Sequence, residues 1–288
     1  MVQEKTNPAF QIKTKAFRLL ILLLILSPIF LFAQNEARLP ALGSSIPHIV
    51  GMGYWGTVGA GMNFQSTTRL HIISWAPDAS ACVNIGLGNP ERAIGVDMHI
   101  NIYGVSNKLG EKSNFGEGTI NLHLSRQIHP QFWVAVGGYD VLGWETSIVN
   151  ALKSYYLAAN YRFDLRPQPS SFFSTLYITA GLGNGRFRRD ADFDINRSNP
   201  FGVFGSLAIQ VLKEGHFLVE WSGYGLYTGF SVLPFKKLPF QFIIGGDDLL
   251  HPQRRLVLAA NMSLFLKKNA PNKRFVPPPP PPQMSRFN

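Results

Sequence analysis

Cysteine is almost missing. Cys82 is the one thiol in 288 residues, so no intramolecular disulfide can form. No Cys/His spacing of the metal-site type occurs. Charge is scarce as well: 15% of residues are charged and 45% hydrophobic, against about 25% charged in ordinary soluble domains. Past residue 33 no stretch carries a helical period of useful length. These shortages argue against a disulfide scaffold, a zinc module and a charged, helix-rich cytosolic enzyme. Basic residues exceed acidic ones, for a net charge of +10, but they are scattered, and the chain looks exported. Nucleic acid is therefore not an expected partner. The simplest account of the surplus is basic loop tips and a basic tail near a membrane. Contact with anionic lipid and lipopolysaccharide phosphates is its functional counterpart.

The abundant residues are glycine, 27 in all, and phenylalanine, 22, within an aromatic share of 12%. That mixture suits antiparallel β-structure that meets lipid. Residues 1–33 read as a signal peptide. Lys5, Lys13, Lys15 and Arg18 precede the apolar run Leu19–Phe32. The run is shorter than the roughly 20 residues a spanning helix needs. Ala33 is the expected last leader residue and Gln34 the mature N-terminus; an uncleaved signal anchor is the alternative. No Cys follows the run, so a lipoprotein anchor is not expected. Residues 34–54 form a short lead-in.

From residue 55 to 266 apolar residues recur at every second position. Ile94, Val96, Met98, Ile100 and Ile102 share one face, and Gly95, Asp97, His99, Asn101 and Tyr103 the other. Tyr155, Leu157, Ala159, Tyr161 and Phe163 oppose Tyr156, Ala158, Asn160, Arg162 and Asp164. Similar alternation marks Phe132–Leu142, Phe217–Tyr227 and Phe240–Leu250, with weaker candidates at Leu70–Trp75 and Arg188–Ile195. The stretches FWVAVGGYDVL and FQFIIGGDDLL each lead, after a loop, into a strand containing Ala-Ala-Asn, which suggests duplicated hairpins. GLGN also occurs twice, at Gly86–Asn89 and Gly181–Asn184. Most candidate strands run about 9–12 residues, the length a tilted strand needs to cross a bilayer. A soluble sandwich would use strands nearer 5–6 residues. The expected fold is all-β, an antiparallel up-and-down transmembrane β-barrel of about 10–12 strands.

Residues 267–288 are basic and contain six consecutive prolines, Pro277–Pro282. Such a tail is polyproline II without internal hydrogen bonds. It reads as disordered, with a docking peptide for a periplasmic partner as the functional alternative.

The leader ending in FAQ, the alternating strands with Gly and aromatic punctuation, and the last strand LVLAANMSLFL resemble bacterial outer-membrane β-barrel proteins as a class. The resemblance covers roughly residues 55–266. It implies an outer-membrane location, contact with lipid and lipopolysaccharide, and handling by a barrel-assembly machinery. The role it implies is passive: a channel, a scaffold or a secretion-associated barrel, with no enzyme activity and no cofactor. A surface receptor or adhesin is one alternative. An outer-membrane lipid hydrolase or deacylase is another. His123 and Ser125 lie two apart on one strand, so an imidazole could activate the hydroxyl, and His-x-Ser is similar to the motif of outer-membrane lipid deacylases. Against that, His123 is on the polar face and Arg126-Gln127 depart from the deacylase pattern. Asp97, His99, Asn101, Asn121, His123 and Ser125 are read as hydrated lumen residues. Asp190, Asp192 and Asp194 are read as the wet face of a loop strand rather than a Ca²⁺ site. Asp140, Asp247 and Asp248 are read as turn residues after Gly pairs.

Overall fold

Alternating residues place one set of side chains on each side of a pleated strand, and branched or aromatic residues pack well there. The pattern resolves into twelve strands: β1 (Thr57–Gln65), β2 (Asp78–Gly88), β3 (Gly95–Ile102), β4 (Gly118–His129), β5 (Phe132–Trp144), β6 (Ser154–Asp164), β7 (Thr175–Gly183), β8 (Gly202–Leu212), β9 (Gly215–Trp221), β10 (Leu226–Val232), β11 (Phe240–Asp247) and β12 (Arg255–Phe265). Each pairs antiparallel with its neighbour in sequence, and β1 also pairs with β12 from Thr57↔Phe265 to Gln65↔Val257. The sheet is a closed up-and-down barrel, and closure removes every free edge.

The computed structural model describes residues 40–51, 53–67, 77–103, 117–144, 153–166, 172–194, 200–235, 240–252 and 254–265, without the side chains of 193, 194 and 265. The predicted leader, the Pro-rich tail and the candidate strand Leu70–Trp75 lie outside the described residues.

The facing of the strands follows the alternation read from the sequence. Leu122, Val136, Leu157, Leu207, Phe230 and Ile244 are exposed on the outer face. Asp97, Asn121, His123, Asn160, Ser206 and Glu220 are buried inside. A water-soluble domain does the reverse. Exposed aromatic residues gather at both ends: Trp144, Tyr155, Phe201 and Trp221 at one rim, Tyr161, Phe163, Phe172, Phe173 and Phe235 toward the other.

The two rims differ. Both ends of the ring, the start of β1 and the end of β12, lie at the rim closed by the connections 89–94, 130–131, 165–174, 213–214 and 233–239. The opposite rim carries 66–77, 103–117, 145–153, 184–201, 222–225 and 248–254.

Several expectations need correction. Arg188–Ile195 is no strand: Gly185–Phe187 is a turn of 3₁₀ helix and Asp190–Asp194 is a short helix, α1. Acidic residues in the first turn suit a helix N-terminus, where unpaired amides carry positive charge. Phe217–Tyr227 is not one strand, because 222–225 turns the chain between β9 and β10, with the Ser222 amide donating to the Gly225 carbonyl at 3.1 Å. Asp140 does not end a strand. It sits within β5 at a bulge, between the pairs Ile120↔Leu142 and Leu122↔Gly138, with φ of 55°. Asp247 closes β11 and Asp248 lies in the following turn, as expected of a Gly-Gly ending there.

The repeated hairpins are β5–β6 and β11–β12, and they share a register. Trp133 pairs with Asn160, and Gln241, the equivalent position, pairs with Asn261, the equivalent Asn. Both loops lie at the same rim, which fits a duplication six strands apart. The GLGN echo does not fit it, because β2 and β7 end at opposite rims.

Candidate functional site

The lumen has a polar wall and an apolar wall. β3, β4 and β5 build the polar one. Here His99 Nε2 lies 3.0 Å from Asp97 Oδ2, and the His99 and His123 rings meet edge-on at 5.2 Å. His123 Nδ1 and the Tyr156 hydroxyl share a hydrogen bond of 2.8 Å. Asp140 is tied in from the bulge: its carboxylate accepts from Thr119 Oγ1 at 2.6 Å and Tyr103 OH at 3.1 Å, and its amide donates to Asn121 Oδ1 at 2.9 Å. The bulge turns the Asp140 side chain onto the same groups that alternation aims inward, so Asp140, Thr119, Tyr103 and Asn121 partner one another.

His123 and Ser125 do face the same way and both are buried. Two residues along a strand span about 7 Å, however, and His123 leans instead toward Tyr156 on β6. Asp190 and Asp192 are not gathered either. Asp190 meets His251 at 3.2 Å and Asp192 meets Arg189 at 3.8 Å. Among the described residues, no three His, Cys, Asp or Glu side chains are placed to hold a metal ion.

The apolar wall comes from Ala135, Tyr177, Phe204, Ala208, Leu218 and Ile243, which cluster with Ala41, Leu42, Ile46, Ile49 and Val50. Those last five residues belong to the stretch read as a lead-in. They fill the barrel. Leucine and isoleucine gain by leaving water, at about 25 cal/mol per Å² of apolar surface, and the inner faces of β7–β11 receive them. Polar contacts fix their position. Ser44 N and Ser45 N donate to the two oxygens of Glu220 at 2.6 and 2.8 Å, and Ser45 Oγ adds a third bond at 2.7 Å. Ser206 Oγ donates to the Leu42 carbonyl at 3.4 Å, and the Pro40 carbonyl meets the His216 imidazole.

These contacts give the path of the segment. His216 is near the start of β9, at the rim with the chain ends, while Glu220 is near the strand's far end. The described segment begins beside His216 at Pro40, turns back at Ser44–Ser45, and leads to Gly53, which packs on Gly95 at the start of β3. A Cβ on Gly53 would lie 2.7 Å from Gly95 Cα. Tyr54 then donates to Glu91 at 2.9 Å; burial, and next the Glu91 carboxylate, push its hydroxyl pKa up.

Glu220 and Ser44–Ser45 are the functional candidates that sequence reasoning missed. Two signals were present. Glu220 stands at an inward position between Phe217, Val219 and Trp221, and PALGSSIPHIV is too apolar for a solvated lead-in. No protein-family model matches the chain, and no curated protein matches it.

Proposed function

We propose that this protein is an outer-membrane β-barrel that rests closed, its lumen occupied by its own N-terminal segment, and that its role in this state is a passive, scaffold-like one. The observation that carries the reading is the outward apolar face of the ring, bordered by aromatic residues at both rims. A lipid-facing barrel has that band and those girdles. A soluble monomer rarely exposes an apolar surface of such extent. The even strand number, the short connections at the rim of the chain ends and the signal-peptide-like start add support. The test is fractionation of a Gram-negative host expressing the full chain, with gel migration before and after boiling. The expected result is recovery in the outer-membrane fraction and a heat-dependent shift in mobility. Recovery as a soluble periplasmic protein without that shift would overturn the reading.

A further inference from the structure

Nothing in the ring requires the filled lumen to be permanent. β1 and β12 close the barrel through their own pairing, so the segment 40–50 is cargo of the ring and not one of its staves. We propose that this segment is a releasable plug, latched at Glu220 and hinged at Gly51, and that its withdrawal opens a passage through the barrel. The inference rests on the lipid-embedded reading above.

Three observations carry it. First, the segment forms no strand, and the hydrogen bonds described between it and the wall go to side chains, those of Glu220, Ser206, His216 and Tyr227. A few side-chain contacts can be given up together, whereas a backbone ladder releases only by unzipping. Second, the polar hold is concentrated. Glu220 has no accessible surface and takes three of these bonds, two from consecutive amides. Third, a hinge stands where one is needed. Gly51 has φ of 86°, and a Cβ there would meet nothing within 4 Å, so its glycine conformation answers to the chain's turning and not to packing. The path adds a mechanical point: both described ends of the segment, Pro40 beside His216 and Gly53 beside Gly95, lie toward one rim, so it can leave as a loop.

The opened lumen would keep its two walls, with Asp97, His99, Asn121 and His123 on one side and Tyr177, Phe204 and Leu218 on the other. That lining suits small solutes with a polar and an apolar side. The charged groups leave it permeable to ions, which supplies the probe.

The test is single-channel recording of the full-length protein in planar bilayers in KCl. Five forms are compared: wild type, Glu220→Ala, a deletion of 40–50, and a Leu42→Cys/Ser206→Cys pair in a Cys82→Ser background without and with Glu220→Ala. Wild type is expected to be almost silent. Glu220→Ala and the deletion are expected to raise open time at least tenfold. The oxidised cysteine pair should stay closed when Glu220→Ala is added, and reductant should restore opening. A deletion variant that still shows heat-dependent mobility yet stays silent would overturn the plug. If the deletion variant does not fold, the cross-linked pair carrying Glu220→Ala decides alone: equal conductance before and after reduction overturns the proposal. Failure of the wild type to insert or to show the mobility shift would instead remove the lipid-embedded reading, so the two failures are distinguishable.

Discussion

Asp140 shows what one residue can hide. Its place after Gly137-Gly138 makes a turn the natural reading, since Gly pairs and Asp punctuate chains. The strand instead runs through to Trp144, and the bulge accommodates φ of 55° at Asp140. Asp tolerates that region better than most residues. What the sequence could not reveal was the partner set, Thr119, Tyr103 and Asn121, because those contacts depend on the registers of β3, β4 and β5. Replacing Asp140 by Ala removes the acceptor and leaves Thr119 Oγ1 buried without it. The expected loss is about 1–3 kcal/mol, measured as a lower urea midpoint of tryptophan fluorescence for the barrel in lipid vesicles. Asp140→Asn keeps an acceptor and the backbone tolerance, and should recover most of it. The same reasoning applies to Glu220, whose two oxygens accept from Ser44 and Ser45. In Glu220→Gln the amide protons of Ser44 and Ser45 should exchange at least tenfold faster by hydrogen exchange. Unchanged protection would count against the latch.

At the level of the strand, facing was legible and boundaries were less so. A period of two is intrinsic to the pleat, so the two faces of β3 and β6 could be written down from alternation. Ends depend on turns, and turns depend on long-range fit: β9 and β10 read as one strand until Ser222–Gly225 bends the chain. The stretch Arg188–Ile195 failed for a different reason. Alternating Asp and apolar residues satisfy a strand pattern, yet five residues are too few to tell a strand from one helical turn. A sharp test of facing uses β8. Leu207 is outward and 46% exposed near the middle of the strand. In a bilayer, Leu207→Arg should cost about 2–4 kcal/mol, read from the urea midpoint in lipid vesicles. On a surface facing water the same change would lie within about 0.5 kcal/mol, so the size of the effect separates the two environments.

For the molecule as a whole, the closed ring was the readable part and its filling was not. The twelve strands among the described residues lie at the top of the expected range, because most strands announce themselves locally. The plug depends on contacts between residues 175 and 176 positions apart, and no local pattern encodes them. Its apolar residues lack any period, which leaves the stretch looking like a spacer. Limited proteolysis of the wild type in lipid vesicles should therefore spare 40–50, and Glu220→Ala should expose it to cleavage, read by mass of the fragments. The path of the segment also bears on how the protein is put together. A chain passing from one mouth to the other would have to be threaded before the last seam formed. Here both legs share one mouth, so the hoop can be sewn shut at β1 and β12 while still hollow, and stuffed afterwards. Closure of the ring and filling of its lumen are then separable events, and the first does not have to wait for the second.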